Sequence, residues 1–363
     1  MEIVVIISQI LLYLSLSILV GSFILFLVPN KYRPEIRVAK KYLLISAITV
    51  PIFSFVPVLD IILYIAPRLG GIESFKLVLT TYTVGNAWNF TLVGSVVLIL
   101  FIYMIWPPHK KLYSCLGLIL TFGLILSLAW SSHSGTIDPI IGVISDFTHL
   151  AAVSIWVGIV LVMGWGARNY KNWVEFLNWF SIVAFSCLVM TAISGLLMMD
   201  LIVDHYVESW MVSYGQGILF KHLSLLPLVF YALINGLLMK FLISKNYNFN
   251  PIPWIRLEGL ILLGIFAITA FYSIQPPPHG NYLSNEAVSP LFRLFHDAPI
   301  EARTTIGFAG GPNTIYFLFL SFLFIGLMIL SFFKKAPMVL SLLFSCLFIV
   351  CIYVTLMLSV EVH

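Results

Sequence analysis

Two histidines lie at facing ends of neighbouring apolar segments, where metal-binding side chains can meet. His133 follows the apolar segment that ends at Trp130, and His149 lies about one helical turn inside the next segment. A short connection makes consecutive helices antiparallel neighbours, so we expect both imidazoles at one level of the structure. Asp146 shares a helical face with His149 and could accept its Nδ1 proton. The pattern predicts a metal site, although each histidine could instead cap a helix end and bind water.

Sulphur donors follow at the corresponding end of the next apolar segment. Met198 and Met199 close that segment, and His205 comes shortly afterwards. Imidazole and thioether groups suit copper, and soft thioether ligands favour the cuprous ion. The predicted metal ligands are therefore His133, His149, Met198, Met199 and His205. The competing interpretation is that the methionines pack against lipid and that His205 is solvated.

Two ionisable residues inside apolar segments are candidates for an ion path. Lys221, followed directly by His222, either extends to the membrane surface or forms a fixed positive charge in a polar cavity. In the second case Asp146 or Asp200 could pair with it. Glu258 lies near the start of a later segment and either ends an ion path or is an interfacial acid.

Composition defines the surroundings in which these residues must work. Of 363 residues, 61% are hydrophobic and 9% are charged, against about 25% charged in soluble globular chains. This balance excludes a soluble enzyme, a disordered tail and a nucleic-acid-binding domain. It predicts a polytopic protein whose main partner is the lipid bilayer. The absence of a Walker loop and of other nucleotide or catalytic motifs predicts a protein that is not an enzyme.

The fold class that we predict is all-α, a transmembrane bundle of about ten helices. The first apolar run is too long for a cleaved signal and lacks a basic start, so we count it as a true span. The four cysteines lie in apolar stretches and are interpreted as packing residues. The predicted spans are Ile3–Val28, Tyr42–Ala66, Asn86–Trp106, Leu112–Ser131, Phe147–Gly166, Phe176–Met199, Ile218–Leu242, Leu257–Ile274, Ile315–Phe333 and Met338–Ser359.

Lysine and arginine predict how these spans are oriented. They concentrate in the odd-numbered loops, which are therefore predicted to be cytoplasmic, with both termini extracytoplasmic. Under this topology only His109 among the eight histidines lies inside. Because the charge rule does not require that segregation, it suggests an outer face that handles cations or a metal.

The stretch from Ser131 to Pro278 carries several motifs in a fixed order. These are SSHS around His133, the segment DFTHLAAVSIWVGIVLVM, Ser194-Gly195-Leu, Tyr214-Gly-x-x-Ile-Leu-x-Lys221, and Glu258 at the head of a span that ends in prolines. Together they resemble the copper resistance protein D family. The resemblance implies a bacterial cytoplasmic-membrane protein that moves copper inward. By position, the resemblance assigns copper handling to His133, His149, Trp156 and Lys221.

Two departures from that family qualify what the resemblance implies. Ser-His-Ser stands at His133 where the family often has Gly-His-Ala. The periplasmic copper-binding domain that is fused to some relatives is absent from this sequence. The second departure predicts a separate extracytoplasmic copper-binding protein as metal donor, or none.

Four regions and three functions are consistent with this sequence. We predict three N-terminal spans in 1–111, a family-like core of five spans in 112–278, a long extracytoplasmic loop in 279–314, and two C-terminal spans in 315–363. The favoured function is copper transport or acquisition, with the ion captured at the outer face. The alternatives are a haem-binding, cytochrome b-like protein that uses His149 and His222, and an assembly factor that delivers copper to a respiratory oxidase. In that factor, His279 and His296 of the long loop would face the partner.

Overall fold

The structure, a computed structural model, describes residues 2–108, 110–245, 249–280, 282–301 and 303–363. His109, which the charge pattern assigns to the inner side, lies outside the described residues. The helices are α1 Glu2–Leu27, α2 Lys40–Leu69, α3 Gly71–Thr81, α4 Thr83–Ile105, α5 Lys111–Trp130, α6 His133–Ile137, α7 Ile141–Gly166, α8 Trp173–Ile202, α9 Ser213–Leu233, α10 Met239–Lys245, α11 Ile252–Ser273, α12 Pro290–Arg293, α13 Pro312–Phe333 and α14 Met338–Ser359. A π-helical turn, Ile234–Leu238, joins α9 to α10.

Ten helices in the described part of the chain are long and apolar enough to cross a membrane. This confirms the predicted all-α architecture and the number of spans, while the orientation of the termini stays a prediction. One span runs over Ser213–Ile243 through α9, the π-helical turn and α10. Hydropathy did not predict α3 or α6. α3 is amphipathic and has 11 residues, and α6 has only five residues.

The helix that carries His149 begins earlier than the sequence predicts. Asp138 accepts hydrogen bonds from the backbone N–H groups of Ile140 and Ile141, at 2.8 and 2.9 Å, and so caps the helix start. α7 therefore starts at Ile141 rather than at Phe147. His149 consequently lies about 12 Å along the axis, more than two turns from the start instead of one.

The chain divides into two compact units, the first formed by Met1–Leu201 with Ile234–Gly259. Within it α1 packs against α2, α5 and α7, and α4 packs against α2 and α5. A Cβ on Gly158 of α7 would lie 2.1 Å from the Ser17 carbonyl oxygen of α1, so the two backbones meet where neither Gly21 nor Gly158 has a side chain. Among the ten long helices of the described residues, α7 has the largest buried share. His149 and Trp156 are therefore held on the most enclosed helix.

The second unit consists of Ile202–Leu233 and Leu260–His363. In it α13 and α14 form an antiparallel pair, and α14 packs against α9. The segment predicted as a long loop contains α12 and a strand, β1 Ile306–Phe308, that pairs antiparallel with β2 Val360–Val362. This ladder ties the segment to the residues that follow the last span.

Candidate metal site

His149 is half-buried on α7 and bonded to the neighbouring helix through one ring nitrogen. Its Nδ1 lies 3.1 Å from the carbonyl oxygen of Thr191 and 3.2 Å from Oγ of Ser194, both on α8. A carbonyl oxygen only accepts, so Nδ1 carries a proton, and the lone pair of the neutral imidazole is then on Nε2. Metal-binding histidines are commonly oriented in this way by the partner of their second nitrogen.

Gly195 of α8 lies directly beside the imidazole. A Cβ placed on Gly195 would lie 3.4 Å from Cε1 and 3.6 Å from Nδ1 of His149. Alanine would therefore make an ordinary van der Waals contact with the ring, whereas a side chain that branches beyond Cβ would compete with the ring for space. In the Ser194-Gly195 pair of the sequence motif, serine contacts the ring and glycine leaves space beside it.

His133 lies in the short connection between α5 and α7, and Asp146 lies just after it on α7. His133 is the exposed first residue of α6, and the hydroxyl of the preceding Ser132 accepts a hydrogen bond from Gly135 N–H at 3.1 Å. α6 packs on α7, because Gly142 has no Cβ to meet the Ser134 carbonyl. Asp146 is half-buried one turn before His149. The role of His133 as a ligand stays a prediction, and so does a role for Asp146 beside His149, whose Nδ1 lies against Thr191 and Ser194 of α8.

Met198 and Met199 are half-buried near the end of α8. Met198 follows Ser194 by four residues and so shares the face that contacts His149, whereas Met199 is turned by about 100° from it. His205 is exposed and belongs to the second unit. The described residues contain no group of three or more His, Cys, Asp or Glu that could hold a metal ion.

A second polar cluster lies two turns further along α7. Trp156, seven residues after His149 and on the same face, donates from Nε1 to Glu258 Oε1 on α11 at 2.8 Å. Asn235, in the π-helical turn, donates from Nδ2 to Glu258 Oε2 at 2.7 Å. Glu258 is 1% exposed and Asn235 is 7% exposed. Asn235 Oδ1 is buried and has no hydrogen-bond partner in the described part of the chain.

Sequence reasoning found the members of this cluster only in part. Trp156 came from the family motif, and Glu258 was considered as an interfacial acid or as the end of an ion path. The structure shows a fully enclosed carboxyl instead, on the second turn of α11. Asn235 was missed. The available signal was a polar amide in the middle of a long apolar span.

Lys221 and His222 each bond to a tyrosine within the second unit. Lys221 Nζ lies 3.3 Å from the Tyr272 hydroxyl and 5.7 Å from the centroid of that ring. Gly217 makes this possible, because a Cβ there would lie 2.2 Å from Tyr272 Cβ. His222 Nδ1 lies 2.7 Å from the hydroxyl of Tyr206. The place of Lys221 in an ion path stays a prediction.

Comparisons with known proteins define the class. Residues 1–143 match the N-terminal domain of copper resistance protein D-like proteins, and residues 174–272 match copper resistance protein D. The two matches cover about two thirds of the chain and include the first three spans, which the sequence motifs did not reach. The chain belongs to the copper resistance protein D family, and it is a multi-pass protein of the cytoplasmic membrane.

Among curated proteins, the chain is similar to the copper transport protein CutJ of Bacillus subtilis (strain 168). The two are 25% identical over 210 residues, which covers 53% of this chain and 37% of the relative. The chain therefore spans little more than a third of that relative's length. No solved structure gives a significant match. His149 and Trp156 lie between the two regions that match the family.

Proposed function

We propose that this protein carries copper across the cytoplasmic membrane, and that the ion is cuprous and binds first at His149. Family membership and the name of the similar protein support copper as the substrate. The observation that carries the proposal for His149 is its Nδ1 hydrogen bonding to α8, which orients the ring as the second partner of a metal-binding histidine commonly does.

The co-ligands in this proposal are His133, Met198 and Met199. Met198 is the best placed of the two methionines, since it shares the face of α8 that contacts His149. Thioether sulphur binds the cuprous ion in preference to harder cations. His205 stays a further ligand predicted from the sequence. The exposed His133 is suited to receive copper from a separate extracytoplasmic donor protein.

Beyond the capture site, the proposed path follows one face of α7. Trp156 lies about 10 Å from His149 along the helix axis, and the face of an indole attracts a partly dehydrated cation. The path then reaches the Trp156–Glu258–Asn235 cluster within the first unit. Lys221 is proposed separately as a positive charge that affects the rate of copper transport, and the Lys221→Met variant tests this role.

Copper binding and uptake by the purified protein test this proposal. Metal analysis under reducing conditions should show copper bound to the wild type and a strong loss in the His133→Ala/His149→Ala double variant. Initial uptake of cuprous ion into sealed proteoliposomes should fall by at least about tenfold in the same variant. The matched control is His363→Ala, which removes an exposed imidazole.

Two outcomes would contradict the proposal. Unchanged copper stoichiometry and affinity in the double variant would remove His133 and His149 as ligands. Copper binding without uptake into vesicles would favour delivery to another protein over transport. A visible spectrum of the same preparation checks the haem alternative, because haem bound by histidine gives a Soret band.

A further inference from the structure

The Glu258–Asn235 pair combines two features that folding alone does not favour. The Glu258 carboxyl is fully enclosed, and no ion pair links it to any described residue. Asn235 Oδ1, also enclosed, lacks a hydrogen bond within the described residues. A buried charge without a counter-ion and a buried acceptor without a donor each destabilise a fold. Their presence side by side indicates a functional site at which a proton or another ion binds and is released.

Charged groups on the surrounding helices do not neutralise the carboxyl. On α11 itself, Arg256 directs Nε to the Gly164 carbonyl of α7 at 2.7 Å and stacks at 5.9 Å from the Trp165 ring. On α10, Lys240 is half-buried five residues after Asn235 and forms no ion pair with Glu258. From α7 and the π-helical turn, the contacts are the neutral donors Trp156 and Asn235.

A single proton removes the buried charge and offers a donor to the unpaired oxygen. A protonated carboxyl is neutral, and its new O–H needs an acceptor. A half-turn of the Asn235 amide exchanges its nitrogen and oxygen. This turn brings Oδ1 to the position, 2.7 Å from Glu258 Oε2, that Nδ2 now occupies.

The amide rotation also moves Nδ2 away from its second acceptor. Among the described residues that acceptor is the Trp254 carbonyl, at 3.3 Å. That carbonyl lies four residues before Glu258 in the same helix, where the ladder of α11 supplies it with a donor. The ionised form therefore has two N–H donors on the carboxylate. In the protonated form the amide oxygen has a donor, and Nδ2 moves to the position that Oδ1 now occupies.

We propose that Glu258 and Asn235 form a proton-binding site, in which the carboxyl takes up and releases one proton while the Asn235 amide turns between donor and acceptor. Resting on the proposed function, this makes the proton the ion coupled to copper movement. Entry of a cation beside Trp156 favours the carboxylate, and the released proton passes to water. Asn235 lies in a π-helical turn, a local irregularity that is frequent at functional positions in helices.

Infrared spectroscopy tests the proton site without any copper. A protonated carboxyl gives a carbonyl stretch above the amide band, and that stretch shifts in deuterated water. We expect the copper-free wild type to show such a band that Glu258→Gln lacks. Glutamine keeps the shape and offers its own N–H to Asn235 Oδ1, so this variant should fold. Glu175→Gln, at an exposed position of α8, should keep the band.

The Asn235→Leu variant supplies a second spectroscopic check. It removes the acceptor but keeps Glu258, so the band should remain and move to higher frequency. The proposal is overturned if wild type and Glu258→Gln have identical spectra in this region across the pH range in which the protein stays folded. It is also overturned if the band in Asn235→Leu keeps the wild-type frequency.

Vesicle transport then tests the coupling. In the wild type, reversing an imposed proton gradient should change the initial rate of copper uptake by at least about tenfold. In Glu258→Gln the rate should no longer respond. An equal response in both proteins would overturn the coupling. If no copper enters vesicles that contain the wild type, the proposed function fails, and the infrared result still decides whether Glu258 binds a proton.

Discussion

Two buried side-chain amides, Gln216 in the second unit and Asn235 in the first, are treated very differently by the fold. Gln216, 2% exposed on α9, uses both ends: its nitrogen donates to the Trp210 carbonyl and its oxygen accepts from the Tyr353 hydroxyl at 2.7 Å. Asn235 uses only its nitrogen, and its oxygen is left unpaired among the described residues.

The difference separates a polar group that holds helices together from one that is poised to change partners. A fully paired amide fixes α9 and α14 in one arrangement, because any movement would break a buried hydrogen bond. A half-paired amide beside a lone carboxyl can present either its nitrogen or its oxygen to that carboxyl. We infer that the first contributes stability and the second contributes function.

Asn235→Leu gives the largest expected effect. Copper uptake should fall by more than about tenfold, because the Glu258 proton loses its acceptor. Thermal stability should change little, since the variant loses the two Nδ2 hydrogen bonds, to Glu258 and Trp254, of about 1 kcal/mol each, but also removes a buried unpaired oxygen. Uptake into proteoliposomes and melting in detergent measure the two quantities. A large loss of stability with normal uptake would make Asn235 a structural residue like Gln216.

Gly195→Val should have the next largest effect, on copper binding. Its methyl groups would enter the space of the His149 ring, whose Cε1 lies 3.4 Å from a Cβ at this position. We expect about tenfold weaker copper binding, equivalent to about 1.4 kcal/mol. The matched control is Gly123→Val on α5, where a Cβ meets nothing within 4 Å. Equal affinities in both variants would show that the ring position does not matter.

Tyr353→Phe should lower stability and leave copper uptake unchanged, which is the opposite of the result expected for Asn235→Leu. The ring keeps its stacking on Phe220, at 4.4 Å between centroids, but Gln216 Oε1 loses its donor. An orphaned buried acceptor should lower the free energy of unfolding by about 1–3 kcal/mol, while copper uptake stays at the wild-type level. Tyr316→Phe, an exposed change on α13, is the control and should melt like the wild type. Lost uptake without lost stability would remove the contrast between the two amides.

The smallest effect concerns the loop outside the spans. The backbone N–H of Gly280 lowers the pKa of Asp204, and the His279 side chain adds to the shift. Because the folded pKa lies below the unfolded one, this contact is intact above the ordinary pKa of aspartate and is lost as pH falls through the lower value. Amide exchange at Gly280, corrected for intrinsic rates, should therefore accelerate in acid.

Asp204→Asn is the comparison for this last prediction. The variant should show faster Gly280 exchange at neutral pH and little further change in acid. Equal protection in the two proteins at neutral pH would mean that the carboxylate does not hold the loop. Transport should be the same in both, since the loop belongs to neither amide cluster.

The spans were predictable from sequence to a degree that the candidate site was not. Hydropathy is a local sum over about 20 residues, so ten apolar runs identified ten helices. The start of α7 depended on the Asp138 cap, and its prediction at Phe147 was wrong because Ser145 and Asp146, which lie inside the helix, read as the end of a polar loop. Asn235 was missed because its partners are 23 and 19 residues away in sequence.

The amino-acid sequence by itself determined that this chain spans a lipid bilayer, how many times the chain can cross the bilayer, and to which family the chain belongs. These properties follow from apolar length and from ordered motifs, which need no knowledge of neighbouring helices. Only the tertiary structure decided that the Nδ1 proton of His149 meets α8 and that no described residue forms an ion pair with Glu258. Such contacts arise where faces of separate helices meet, and the packing of the whole unit selects those faces.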